Sequence, residues 1–140
     1  KNLLFIGNFY TDAILDEVRR FSNGSIGLSN HNFEKSILYG LNDCDIEDLK
    51  CITIPIVYSY PQYYRRMTLH GDCTKIGNVA VKSIPLLNIF LLNRLWSKIA
   101  GFFEILHAVK SFDGSHVDII VDAPKTYFFS AIQWCRLFTK

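Results

Sequence analysis

Three stretches of the chain carry residue types that could do chemistry. The first is Gly24-Ser25-Ile26-Gly27-Leu28-Ser29-Asn30. Glycines let a backbone approach a phosphate, and a helix that starts just after them offers free N–H groups and positive potential. The stretch is not G-x-G-x-x-G and follows a helical pattern rather than a strand, so an ordinary turn accounts for it equally. The second is Tyr58-Ser59-Tyr60-Pro61-Gln62-Tyr63-Tyr64-Arg65-Arg66. Its tyrosines suit stacking on a sugar ring, and its arginines suit clamping a phosphate or carboxylate. The same residues also make a solvated surface loop. The third is Asp122 with Lys125 and Thr126, where a strand gives way to a helix, the place where sites form in parallel α/β sheets. Asp122 also reads as the cap of the helix that Pro124 opens. His31, beside the glycine stretch, is the best-placed histidine for acid–base work, whereas His107 reads as structural. There is no Ser/His/Asp order, nucleophile elbow or Walker A loop.

The four cysteines, Cys44, Cys51, Cys73 and Cys135, form no C-x-x-C pair, which points to buried thiols in a reducing cytosol. His70, Asp72 and Cys73 have no second ligand group nearby in sequence, so no metal is expected. A net charge of +2 argues against nucleic acid as the partner. Apolar residues make up 49% of 140, enough for one domain with one core. The start reads as a strand and a turn rather than a secretory signal. The most apolar stretch, 84–92, meets Arg94 and Lys98 before it could span a bilayer.

The elements that must position these residues follow from periodicity. Leu3–Ile6 is a continuous apolar run suited to a strand buried on both faces. Residues 11–21 have helical spacing, with apolar positions 14, 15, 18 and 21. Ser29 or Asn30 can cap a second helix, whose face is Phe33, Ile37, Leu38 and Leu41. Cys51–Tyr58 reads as a second strand, though Pro55 must lie at a bulge or the strand's end. Residues 60–71 read as a loop and Val79–Ile84 as a third strand. Asn88–Phe112 reads as a long helix whose apolar face is Leu92, Leu95, Trp96, Ile99, Phe102, Phe103 and Leu106, expected to pack on the sheet. Asp113-Gly114-Ser115 ends it, Val117–Val121 is a fourth strand, and a last helix begins near Pro124. The alternation implies an α/β fold with a mainly parallel sheet in the order third, second, first, fourth strand. Its ligands should bind beyond the carboxyl ends of the strands, where the order reverses.

Taken together, KNLLFIGNFY, GLSNHNFEKSILYGL, VKSIPLLN and HVDIIVDAPKTYFFSAI resemble, over nearly the whole chain, the N-terminal domain of bacterial family 4 glycosyltransferases. The resemblance implies a Rossmann-like three-layer α/β/α fold, the first domain of a GT-B architecture. It implies transfer of a sugar from a nucleotide sugar to a carbohydrate or lipid-linked acceptor, in the cytoplasm or at the inner face of the membrane, with no cofactor. In that family this domain shapes the acceptor site, and a separate C-terminal domain binds most of the donor. Gly24, Ser25 and Gly27 would then close over the donor diphosphate. Asn30, His31, Tyr63, Arg65, Arg66, Asp122 and Lys125 would face the acceptor.

On this reading residues 1–140 are a truncated piece, inactive alone and able to self-associate along the strand 117–121. Peripheral membrane contact is compatible with it, with no segment assigned to that role. The alternative, from another class, is a stand-alone nucleotide-binding or regulatory α/β domain.

Overall fold

The computed structural model describes residues 1–58, 60–89, 91–112, 116–122 and 126–138, the last stretch without the side chains of 126–129 and 138. The expected stop at 113–115, Pro124, Lys125 and the side chain of Thr126 lie outside the described residues.

The apolar run at the start forms β1 (Asn2–Gly7). It is an inner strand of the sheet, parallel to β2 (Asp48–Thr53) on one side and to β7 (Val117–Val121) on the other. Beyond β2 lies β5 (Val79–Ser83), also parallel. The expected order therefore stands, with Leu4 opposite both Lys50 and Ile119.

A strand unforeseen in the sequence, β4 (Asp72–Ile76), closes the other edge as an antiparallel hairpin with β5. Its turn is Gly77-Asn78, with Gly77 at φ +60°, the conformation a tight hairpin demands and glycine supplies. Asn42 Oδ1 accepts the N–H of Asn78 at 3.1 Å and steadies that turn. Within the expected loop, β3 (Thr68–Leu69) pairs with β6 (Leu86–Leu87) as a separate two-stranded ribbon. The second strand also ends sooner than expected, at Thr53, so Pro55 lies past it.

Side chains alternate across β1 and separate two clusters. Phe5 joins Cys51 and Val81 with Leu38 of α2 (Ser29–Asn42). Leu4 and Ile6 join Ile52 with Ile14 and Val18 of α1 (Asp12–Phe21), Ile105 of α3 (Leu92–Lys110), and Ala131 and Cys135 of α4 (Thr126–Phe138). The chain is thus mixed α/β, with a five-stranded, mostly parallel sheet and helical residues packed on each of its faces.

The α2 face read in the sequence is the packed one except for Phe33: Leu38 is buried beside His31 and Glu34, Ile37 and Leu41 pack against the same cluster, and Phe33 is exposed. In α3 most of the expected face points outward: the buried positions are Ser97, Gly101 and Ile105, with Phe102 and Leu106 packed against the core, while Leu92, Leu95, Trp96, Ile99 and Phe103 are exposed. The helix α4 lies against α3: Cys135 Sγ reaches Phe102 O at 3.6 Å, and Trp134 meets the Phe102 ring edge-on at 6.1 Å.

This reversal has a direct test in urea unfolding. Ile105→Ala should lower the unfolding free energy by roughly 2–5 kcal/mol, the range for emptying a buried aliphatic site. Phe103→Ala should change it by only about 0.5 kcal/mol, as surface replacements do.

Candidate functional site

The site is built where β1 ends. Gly7 carries no side chain, and a Cβ placed there would lie 2.6 Å from Glu34 Oε2 and 3.0 Å from the Phe5 ring. That space lets the buried Glu34 carboxylate reach over the strand and accept the N–H of Asn8. The next two N–H groups are held in the same way. Phe9 donates to Thr53 Oγ1 at 3.0 Å, and the Thr53 hydroxyl donates back to Phe9 O. Tyr10 donates to His31 Nδ1 at 3.1 Å. Its hydroxyl donates to Ile56 O at 2.6 Å, and the N–H of Ile54 returns to Gly7 O at 3.0 Å. Side chains from α2 and β2 thereby satisfy three consecutive backbone donors that would be costly to bury unpaired.

Asn8 is itself buried, yet its Oδ1 has no hydrogen-bond partner. It lines a cleft of about 210 Å³ with Tyr10, Gly27, Ser29, Asn30, His31, Ile56 and Tyr58. One wall is the start of α2. Neither Ser29 nor Asn30 caps it, contrary to expectation. The N-cap is Leu28, with no side-chain hydrogen bond and no acidic residue in the first turn. The cleft is therefore lined by Asn8, whose buried Oδ1 lacks a partner, by a helix start with free N–H groups, and by the exposed Tyr58 ring, which leans on Tyr63 at 6.0 Å.

His31 takes a definite role from its bond. Its Nδ1 lone pair is occupied by the Tyr10 N–H, so the neutral ring carries its proton on Nε2 and acts there as a donor. A general base would need that lone pair free. Burial pushes the His31 pKa down, and Lys35 and Arg19 add to the effect against Asp12.

The expected site residues divide into groups. Gly27, Asn30 and His31 line the cleft together, and Tyr63 reaches its rim through Tyr58. Gly24 and Ser25 are exposed and do not line it. Gly24 sits at φ +126° in a turn beside the second loop. Arg65 and Arg66 face α1 instead. Arg65 Nε donates to Asn23 Oδ1 at 2.7 Å. Arg66 stacks on the Phe21 ring at 3.7 Å and meets Glu17 at 3.4 Å. Tyr64, between them, is the buried anchor of that loop, its hydroxyl pushed up to about 12 chiefly by burial and by Glu17. Asp122 follows β7 and donates its N–H to Ile6 O at 3.0 Å, on the opposite side of β1 from the cleft. The cleft thus opens between β1 and β2, one strand away from the reversal of strand order.

Asn8, Tyr10, Glu34 and Thr53 were missed in the sequence because none belongs to a motif. The available signal was Gly7-Asn8 directly after an apolar strand, with Glu34 three residues beyond His31 on α2. A larger groove of about 540 Å³ lies between α3 and the sheet, crossed by the Lys82–Glu104 pair at 3.0 Å. Among the described residues, none of those with a buried polar atom lacking a partner lines it.

Two outcomes check this geometry. Gly7→Ala should lower the unfolding free energy by roughly 1–3 kcal/mol, as overpacking does. In a double-mutant cycle, Glu34→Ala should relieve part of that loss. For His31 the folded pKa lies below the unfolded value near 6.5, so the unfolded chain takes up the proton first on acidification. Its contribution is whole above about pH 6.5 and is lost as pH falls through the folded pKa. Denaturation midpoints measured from pH 7.5 down to 5 should fall, and His31→Gln should flatten that slope.

Compared with known protein families, curated proteins and solved structures, the chain matches no family model, no curated protein and no solved structure.

Proposed function

We propose that the chain is the acceptor-side domain of a glycosyltransferase of the GT-B kind, with a Rossmann-like three-layer fold, and that the cleft beside β1 receives a hydroxyl-bearing ring of the acceptor. The parallel order around β1 and the helical residues on each face of the sheet support the fold. The observation that carries the function is Asn8 Oδ1, a buried acceptor without a donor, on a residue that lines the same cleft as the start of an uncapped helix. Burying such an atom unpaired is unfavourable by about 1–3 kcal/mol, and a sugar hydroxyl supplies the missing donor. His31 Nε2–H and the first N–H groups of α2 then donate to oxygens of the same ring, and Tyr58 stacks on it. At about 210 Å³ the cleft falls short of the ~300–1,000 Å³ of pockets that enclose a whole ligand. It suits one ring, with the nucleotide sugar held mainly by another domain.

The second reading, a nucleotide-binding or regulatory domain, draws on the same uncapped helix, which also suits a phosphate. Titration followed by amide NMR separates the two. Methyl glycosides and N-acetylhexosamines should shift the amides of Asn8, Tyr10, His31 and Tyr58, and free nucleotides should not. Asn8→Ala should weaken sugar binding about tenfold while changing stability by less than about 1 kcal/mol, since the atom removed was unpaired. The 140-residue chain alone should neither transfer nor hydrolyse a panel of nucleotide sugars, because positioning both partners supplies about 7–11 kcal/mol of such a barrier. Nucleotide binding without sugar binding would favour the second reading.

A further inference from the structure

The groove between α3 and the sheet shares no lining residue with the cleft beside β1. Its floor is one face of three neighbouring strands. Residues paired across a ladder lie on the same face. The register sets Lys50 beside Ala80, Ile52 beside Lys82, Cys73 across from Lys82 and Lys75 across from Ala80. Its wall is one stripe of α3, Glu104, His107 and Ala108, with Ser111 just past the helix. These stand at i, i+3, i+4 and i+7, the spacing of a single helix side.

Small side chains keep the groove open. The helix reaches β2, where Ile105 and Ile52 share a cluster. Ala80, paired on both sides within the sheet, nevertheless stays exposed, as does Cys73. At about 540 Å³ the space falls within the ~300–1,000 Å³ of pockets that take a small organic ligand.

The charge of the lining decides which ligand. It carries Lys50, Lys75 and Lys82 against one carboxylate, Glu104. Lys50 is engaged at the end of α3, donating to Ser111 O at 3.0 Å and Ser111 Oγ at 2.8 Å. Lys82 is shared with Glu104 at 3.0 Å. Lys75 has no hydrogen bond or ion pair among the described residues. Lys75 and Lys82 are diagonal neighbours across the β4–β5 pairing. Such neighbours stand about 7–8 Å apart, close enough for two long side chains to meet one group. Lysine stems extend an apolar floor while their ammonium groups stay wet. An apolar floor with a surplus of cations along one side fits an anion on an apolar body.

We infer that this groove binds a small carboxylate with an apolar body, the carboxylate set between Lys75 and Lys82 and the body lying on Ile52, Ala80 and Ala108. The inference is independent of the cleft and holds whichever ligand the cleft takes.

Octanoate, octanol and octylamine share one apolar body and differ in charge. Each is titrated into the 140-residue chain, and maleimide labelling of each cysteine is followed by mass spectrometry. Cys73 lines the groove, whereas Cys44, also exposed, lies elsewhere and serves as the internal control. Octanoate should slow labelling of Cys73 at least about fivefold, since a pocket of this size covers most of a small ligand's surroundings, and leave Cys44 unchanged. Octanol should bind about fivefold more weakly than octanoate, and octylamine should not protect. Ala80→Leu fills the floor and should weaken octanoate about tenfold. Lys75→Gln should reduce octanoate to the affinity of octanol. No protection of Cys73, equal protection by all three compounds, equal slowing at Cys44, or octanoate binding unchanged in a folded Ala80→Leu chain would overturn the inference. Should that variant not fold, Lys75→Gln at its exposed position carries the test, and unchanged octanoate binding there would overturn it equally.

Discussion

The Glu34 carboxylate, about 1% exposed, rests over Gly7 and accepts the N–H of Asn8 where β1 ends. A buried carboxylate is tolerated only when hydrogen bonds replace the water it has lost. This one places α2 against the strand's end and brings His31 and the open helix start to the cleft. Burial and the same carboxylate together raise the pKa of the Cys51 thiol well above its ordinary value, which keeps that sulfur neutral inside the second cluster. Any side chain at position 7 would part α2 from β1, so the smallest residue in the segment fixes the position of its most polar contacts.

Because Glu34, Thr53 and His31 satisfy the donors of residues 8–10, the segment holds its shape without ligand. Asn8 Oδ1 is the polar atom of this segment left without a partner. Preorganised polar groups of this kind favour binding because little ordering remains to be done when a ligand arrives. The arginine loop serves the scaffold instead. Asn23 N–H to Tyr63 O at 2.8 Å and Arg65 N–H to Phe21 O at 2.9 Å tie it to the end of α1, so its cations are already engaged before a ligand arrives.

The helices over the other face follow a separate rule. The buried positions of α3 are Ser97, Gly101 and Ile105, with Ile105 in the core. The bulkier residues of α3 stay exposed, as do Trp134 and Leu137 of α4. The result is a domain with a polar cleft at the strand ends and exposed apolar side chains on α3 and α4.

The sequence by itself determined the frame. Leu3–Ile6 and Val117–Val121 announce strands because strands buried on both faces must be continuously apolar, and the helical patterns between them dictate parallel neighbours and their order. It also pointed to Gly27, Asn30 and His31, since a glycine before a helix pattern is a local signal. It could not rank the two faces of α3. Periodicity records which side chains share a side, whereas the side that is buried depends on how closely another helix can approach. Arg65 and Arg66 looked available because a guanidinium's partner is chosen by distance in space, and Glu17 and Asn23 lie more than 40 residues away in the chain. The site's central atom was hidden for the same reason. Asn8 Oδ1 is an orphan only because Glu34, Thr53 and His31, distant in sequence, satisfied everything around it, and only tertiary structure brings those residues together.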